Sequence, residues 1–286
     1  MSGGGIAISR VDLHIHSTAS DGLLSPAEVV RKAAQLGLTF IAITDHDSIN
    51  GIVPALEAAK AFLQLTVIAG VEVSTVIPKG EVHVLGYYLD YTSLELLTTL
   101  EKMRSSRRGR AQGMVAKLRG LGIRIEWQRV QEIAGSSSMG RPHIAQAMLE
   151  KGYIASIKEA FTKYISRDGP AYVEREKMSP AEAVELILRA NGLPVLAHPF
   201  TIDDSESMIV ELKTAGLVGI EAYYNSYTPE EVSKLVNLAK RHGLIASGGS
   251  DYHGLDDRNE TMIGGANVPT ESVEQLIALT EQRAIK

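Results

Sequence analysis

Apolar residues in this chain fall into short unbroken runs, separated by stretches in which they recur every three or four positions. That alternation predicts strands and helices in turn. Runs of strand length occupy 6–13, 40–44, 66–73, 82–89, 193–197, 218–222 and 244–247. Ser25-Pro26-Ala27-Glu28 and Ser179-Pro180-Ala181-Glu182 are helix starts, with Ser as cap, Pro at the first helical position and Glu reaching back. Thr228-Pro229-Glu230-Glu231 caps a third helix, Asn50 opens another, and 205–215 and 271–283 have helical spacing. Apolar strands alternating with helices predict a parallel sheet covered on both faces.

The alternation stops between 92 and 173, where the sequence is helical and more charged. One long helix or two is expected over 94–121, with others over 126–134, 142–151 and 156–165; Gly135-Ser136-Ser137-Ser138 reads as a flexible break. The predicted organisation is a flexible tail at 1–9, an α/β body at 10–91 and 174–286, and an inserted helical lobe at 92–173.

Composition narrows the chemistry. With 286 residues, 44% hydrophobic and 22% charged, the chain suits one large α/β domain with an insert. A net charge of -5 supplies no bulk basic field for duplex nucleic acid. Cysteine is absent, which removes disulfides and thiolate sites, points to the cytoplasm and leaves His, Asp and Glu as the strong metal ligands. No apolar run approaches the roughly 20 residues that span a bilayer, so no membrane partner is expected. The Met1-Ser2-Gly3-Gly4-Gly5 start lacks the regions of a signal peptide.

Ligand-type residues then fall in a pattern. His14 and His16 are two apart, which in an extended strand puts both imidazoles on one side. Asp21 follows in a Ser-Asp-Gly turn. Asp45 and His46, Glu72, His198, and Asp251 and His253 all lie at or just past the end of an apolar run, and His83 lies in its own run. In a β/α barrel such strand ends converge on one face. Six of the eight histidines belong to this set, with His143 and His242 outside it, and a shared site for zinc, manganese or iron is expected. Asp45 is expected to orient His46 from behind the ligands, and Asp47 to cap the following helix.

Asp-Leu-His-Ile-His at 12–16, Ser-Asp-Gly at 20–22, Thr-Asp-His-Asp at 44–47, Gly-Val-Glu at 70–72, His83, Ala-His-Pro at 197–199 and Ser-Asp-Tyr-His at 250–253 resemble the PHP (polymerase and histidinol phosphatase) family. The resemblance implies a distorted seven-stranded (β/α)7 barrel holding two to three divalent metal ions. It implies that His14, His16, Glu72 and Asp251 hold one metal, and that Glu72 bridges to a second held by His83 and His198. Asp21, His46 and His253 would hold a third; some branches of the family have histidine in place of Asp21. The chemistry that follows is attack on a phosphate ester by a metal-bridging hydroxide held by Glu72.

Arg104, Arg107 and Arg110 recur every three residues, which keeps them near one helix face. Their forks suit phosphate oxygens, and Gly140-Arg141-Pro142-His143 is a loop entering a helix, where free N–H groups favour anions. Arg-x-x-Arg-Ala at 107–111 and Arg141-Pro142-His143 resemble the PHP branch acting on nucleoside 3′,5′-bisphosphates and short RNA ends. That resemblance assigns Arg107, Arg110 and Arg141 to the phosphate that is not cleaved. His143 is either a substrate contact or a helix cap, and the leaving-group acid is a metal-bound water, His143 or His253. The expected partners are a small nucleotide and short single-stranded RNA; a small phosphomonoester such as histidinol phosphate, or a non-catalytic metal-binding role, are the alternatives.

Overall fold

Seven strands form one sheet in chain order: β1 (Val11–Ile15), β2 (Phe40–Ile43), β3 (Thr66–Ile77), β4 (Gly80–Tyr87), β5 (Leu193–Leu196), β6 (Gly219–Tyr224) and β7 (Ile245–Gly249). The structure is a computed structural model and describes residues 10–78, 80–135, 139–174, 178–224, 226–254 and 261–284. The predicted tail at 1–9, with the start of the first predicted strand, and Ser136, Ser137 and Ser138 of the predicted flexible break lie outside the described residues. The helices are α1 (Pro26–Gln35), α2 (Ile52–Ala59), α3 (Leu94–Gly120), α4 (Trp127–Ala134), α5 (Arg141–Glu150), α6 (Ile157–Ala160), α7 (Pro180–Arg189), α8 (Ser205–Ala215), α9 (Pro229–His242) and α10 (Thr270–Ala284).

Local chemistry explains the helix starts. The Ser25 N–H donates to Glu28 Oε2 at 2.8 Å while the Glu28 N–H donates to Ser25 Oγ at 3.3 Å, so each residue satisfies a backbone donor of the other. Ser179 with Glu182 and Thr228 with Glu231 repeat the arrangement at α7 and α9. α2 differs: it starts after Gly51 with no side-chain cap. Asp47 is therefore not the cap expected for it. Its Oδ1 accepts the Ser74 N–H at 2.8 Å and its own N–H donates to the Glu72 carbonyl at 2.9 Å, which ties the end of β2 to β3.

β1–β2–β3 and β5–β6–β7 pair in parallel, as expected for strands linked through helices. β4 departs from this and runs antiparallel to both β3 and β5. Pro78 and Lys79 alone separate β3 from β4 in sequence, too short a link for a crossover, so the pair is a hairpin. The sheet nearly closes into a barrel between β1 and the end of β7. The Asp251 N–H donates to the His14 carbonyl and the His16 N–H to the Tyr252 carbonyl, both at 2.9 Å. A Cβ on Gly249 would collide with the His14 backbone, so glycine is required where the two strands meet.

The chain divides into two compact units, residues 1–97 with 178–286, and residues 98–177; the first division falls within α3. The Glu95–Arg189 ion pair at 2.8 Å, and the Val76 N–H donating to the Met178 carbonyl at 3.1 Å, place both boundary segments in the barrel unit. The helical unit has its own core, in which Met114, Leu118, Ile144, Met148 and Ile165 are fully buried. Among the described residues, no helix is long and apolar enough to cross a membrane.

Candidate metal centre

β1 shows how the sequence builds the site. Its odd positions, Val11, Leu13 and Ile15, are fully buried apolar residues, and strand alternation turns Asp12, His14 and His16 to the other face. Those polar groups are also fully buried. Such burial is costly unless every polar atom finds a partner.

The partners converge on Glu72. Its Oε1 lies 2.9 Å from His83 Nδ1 and 3.1 Å from His198 Nε2. Its Oε2 lies 3.0 Å from His46 Nδ1, 3.2 Å from His16 Nε2 and 3.3 Å from His14 Nε2. Asp251 Oδ1 lies 3.0 Å from His16 Nε2 and 3.3 Å from His14 Nε2. Asp21 faces His16 Nδ1 and His253 Nε2 at 3.5 Å and His46 Nε2 at 3.8 Å. The structure thus brings together all nine residues expected as metal ligands.

Three groups within this cluster have ligand atoms mutually within 4.8 Å: His14, His16, Glu72 and Asp251; His46, Glu72 and His83; and His16, Asp21, His46 and His253. His198 reaches the second group through Glu72 Oε1. Glu72, His16 and His46 are each common to two groups, a degree of sharing that spacing alone does not reveal. β4 supplies His83 from its first half rather than its end, because an antiparallel strand meets the rim at its start; Ser74 pairs with His83 across the hairpin.

Behind the cluster, scaffold groups hold one atom of each of four ligands and turn the other inward. Glu221 Oε1 pairs with His14 Nδ1 at 2.9 Å, and its Oε2 accepts the His198 N–H at 2.7 Å. The Tyr224 hydroxyl donates to Asp251 Oδ2 at 2.8 Å, leaving Oδ1 toward the histidines. His198 Nδ1 is 3.2 Å from Thr201 Oγ1, and His253 Nδ1 is 2.8 Å from the Asp251 carbonyl. Such partners fix imidazole orientation and raise ligand basicity. Sequence reasoning did not single out Glu221 or Tyr224. Their signal was present, since a fully buried glutamate in the apolar run 218–222 needs a charged or hydrogen-bonding partner.

Asp45 does not orient the His46 imidazole as expected. Its Oδ1 accepts the Ser17 N–H and the Ser20 hydroxyl, both at 2.7 Å, and its Oδ2 accepts the Ser17 hydroxyl at 2.8 Å. It therefore anchors the turn that carries Asp21. The same turn packs closely on β1, because a Cβ on Gly22 would lie 2.6 Å from the His16 carbonyl. His198 and Asp251 adopt left-handed backbone, at φ 30° and 54°, an uncommon conformation that Asp and His hold more readily than most residues.

The electrostatics favour cations. Burial pushes the His16 imidazole down, yet hydrogen bonds and charge from Asp251 and Glu72 hold it up at about 10. His83, against burial, is raised to about 9 by Glu72 and Glu81, and His14 stands well above its usual value beside Asp251, Glu221 and Glu72. Burial raises Glu72 and Asp251, but the surrounding histidines bring both well below the carboxylate range. Even so, the imidazole nitrogens around Glu72 Oε2 meet it off the line of a well-formed hydrogen bond, and the buried His16 Nδ1 is likewise without a well-aligned partner. A donor set of imidazoles and carboxylates with converging, unsatisfied atoms fits divalent transition metals. The nine residues named above would hold them.

In the helical unit, the Arg110 guanidinium lies over the Tyr172 ring and that of Arg141 over Phe161, each 5.5 Å from the ring centre. Arg107 is half-buried. His143 Nδ1 accepts the Gly140 N–H at 3.0 Å and so caps α5. Arg104 pairs with Glu101 at 2.6 Å.

Comparison with known proteins gives the family. The PHP domain matches residues 12–163. The chain is 34% identical over 251 residues to a 3′,5′-nucleoside bisphosphate phosphatase from Chromobacterium violaceum, covering 86% of this chain and 88% of that one. It is 33% identical over 247 residues to the 5′-3′ exoribonuclease Rnm of Escherichia coli, covering 85% and 84%. A structure assigned as a metal-dependent phosphoesterase from Bifidobacterium adolescentis superposes with a TM-score of 0.80 at 28% identity, covering 94% of this chain and 95% of the other.

Proposed function

The chain belongs to the PHP domain family and is a metal-dependent phosphoester hydrolase, and on that footing we propose that it removes the 3′-phosphate from nucleoside 3′,5′-bisphosphates. Short RNA is the extended form of the same substrate. Releasing a nucleotide from a 5′ end breaks the bond between O3′ and phosphorus, as does removal of a 3′-phosphate. Similarity to both a bisphosphate phosphatase and a 5′-3′ exoribonuclease over about the same share of the chain supports this reading.

The observation that carries it is the convergence of five histidines on the two oxygens of Glu72. Divalent cations, when bound, supply Lewis acidity toward phosphoryl oxygens and acidify water near neutral pH. On the family's pattern, His14, His16, Glu72 and Asp251 would form one holding group, Glu72 with His83 and His198 a second, and Asp21, His46 and His253 a third, while the geometry also sets His46 beside Glu72 and His83, and His16 beside Asp21. Glu72 would belong to the first two. Glu221 and Tyr224 keep His14 and Asp251 turned inward, so the ligand set is organised before substrate arrives. Arg107, Arg110 and Arg141 are assigned to the phosphate that is retained, because guanidinium forks match its oxygens in pairs. His143, with Nδ1 engaged as a cap, is a weaker substrate contact than these arginines.

Incubation of the purified protein with Mn²⁺ and adenosine 3′,5′-bisphosphate tests the proposal. The expected products are inorganic phosphate and adenosine 5′-monophosphate. Release of the 5′-phosphate instead, or no turnover with Mn²⁺, Zn²⁺ or Fe²⁺, would overturn it.

A further inference from the structure

An aromatic surface runs outward from the ligand cluster, past Tyr224, which holds Asp251, to Tyr227 and Phe200. Phe200 lies two residues past His198 in a short 3-10 turn, Pro199–Thr201. Of the chain's four phenylalanines, all described, it alone is exposed, at 41%. Its ring meets the Tyr227 ring edge-on at 5.1 Å, Tyr227 meets Tyr224 at 5.1 Å, and Tyr224 meets His198 at 6.2 Å. Both ends of this series are fixed. The Tyr224 hydroxyl donates to Asp251 at 2.8 Å, and the Phe200 N–H donates to the Tyr227 hydroxyl at 3.2 Å.

The arrangement is more than a stray apolar residue. A lone exposed phenylalanine needs no explanation. Here a tyrosine supports the exposed ring from the side and accepts its backbone N–H, and the chain that positions it also carries a candidate metal ligand. Resting on the bisphosphate reading above, we infer that Phe200, braced by Tyr227, is the platform on which the substrate's nucleobase stacks. Every base offers a π-face, so this contact accepts any of them, as an enzyme that shortens RNA of arbitrary sequence requires. Its energy is spent on holding the nucleoside while the cluster engages the phosphate, so it acts through KM.

The test compares phosphate release from adenosine 3′,5′-bisphosphate, uridine 3′,5′-bisphosphate and the base-free sugar 3′,5′-bisphosphate. The wild type is expected to favour both base-bearing compounds over the base-free one by about tenfold in kcat/KM. Phe200→Ala should collapse that ratio through KM, and Phe200→Trp should restore it. An equal loss on all three compounds would mark Phe200 as merely structural, and a ratio insensitive to Phe200→Ala would also overturn the inference. Saturation-transfer NMR on the base protons of adenosine 5′-monophosphate gives a second readout independent of turnover. Transfer that is present in the wild type and lost in Phe200→Ala supports the platform even if no phosphate is released. Absence of transfer in the wild type, with phosphate release intact, sinks the platform and leaves the phosphoesterase reading standing.

Discussion

The barrel unit and the helical unit carry charge in opposite ways. In the barrel, His14, His16 and Glu72 are fully buried, and Glu221 behind them is buried too. In the helical unit, Arg107, Arg110 and Arg141 are half-buried on helices, two of them lying over aromatic rings. The first arrangement is a set of strand-borne groups sharing ligand atoms, so losing one member leaves the others buried and unbalanced. The second is a set of half-buried cations that share no ligand atom, so losing one is expected to leave the others in place. Reaction chemistry is therefore expected to fail abruptly on mutation, and substrate affinity by degrees.

The largest expected effect breaks the shared carboxylate. Glu72→Ala removes a group facing five histidines, and kcat/KM for the bisphosphate should fall about a thousandfold or more, as several kcal/mol of charge stabilisation is lost. A variant retaining a tenth of wild-type activity would show that the groups act separately. Next, Arg107→Ala combined with Arg141→Ala should raise KM for adenosine 3′,5′-bisphosphate about 100-fold or more, each arginine costing one charge-assisted contact. Steady-state kinetics on a substrate with a single phosphate should show a far smaller rise; equal rises would remove the arginines from phosphate recognition.

Glu221→Gln sharpens the comparison inside the barrel. The residue touches no substrate in this account, yet it pairs with His14 and accepts the His198 N–H. Mn²⁺ affinity measured by titration should weaken about tenfold or more. Unaltered affinity would reduce Glu221 to a packing residue.

The smallest expected effect is on stability against pH in metal-free protein. His16 and His83 are raised to about 10 and about 9, so the stability their protonated forms supply is complete below about 6.5 and is lost as pH rises through 9–10. Glu72 and Asp251 are lowered, so their share is complete above about 4.5 and is lost only as acid titrates them. Melting temperature should thus peak between about pH 4.5 and 6.5 and fall by a few degrees toward pH 10. Added Mn²⁺ should reverse the fall, since a cation replaces the lost protons. A melting temperature that climbs from pH 6.5 to 10 without metal would contradict the assignment.

How much was legible in sequence follows from the range of the forces involved. Caps such as Ser25 with Glu28 are set within four residues, and the ligands at strand ends follow from period-two alternation and parallel pairing. Strand direction at β4 was less accessible. The run 82–89 looks like any buried strand, and the short link at Pro78 and Lys79 was the one clue to its reversal. Asp45 and Asp47 were placed near the site but given partners close in sequence, whereas their real partners, Ser17, Ser20 and Ser74, lie more than twenty residues away. Glu221 pairs with His14 across 207 residues, a contact that only closure of the sheet creates.

The central claim is that one carboxylate, Glu72, couples a polynuclear metal site. Elemental analysis of metal per chain, on wild type and Glu72→Ala purified in parallel, addresses it most directly. Two to three divalent ions per chain are expected in the wild type, with more than one lost together in the variant. Equal metal content in the two proteins, or the loss of a single ion, would contradict it.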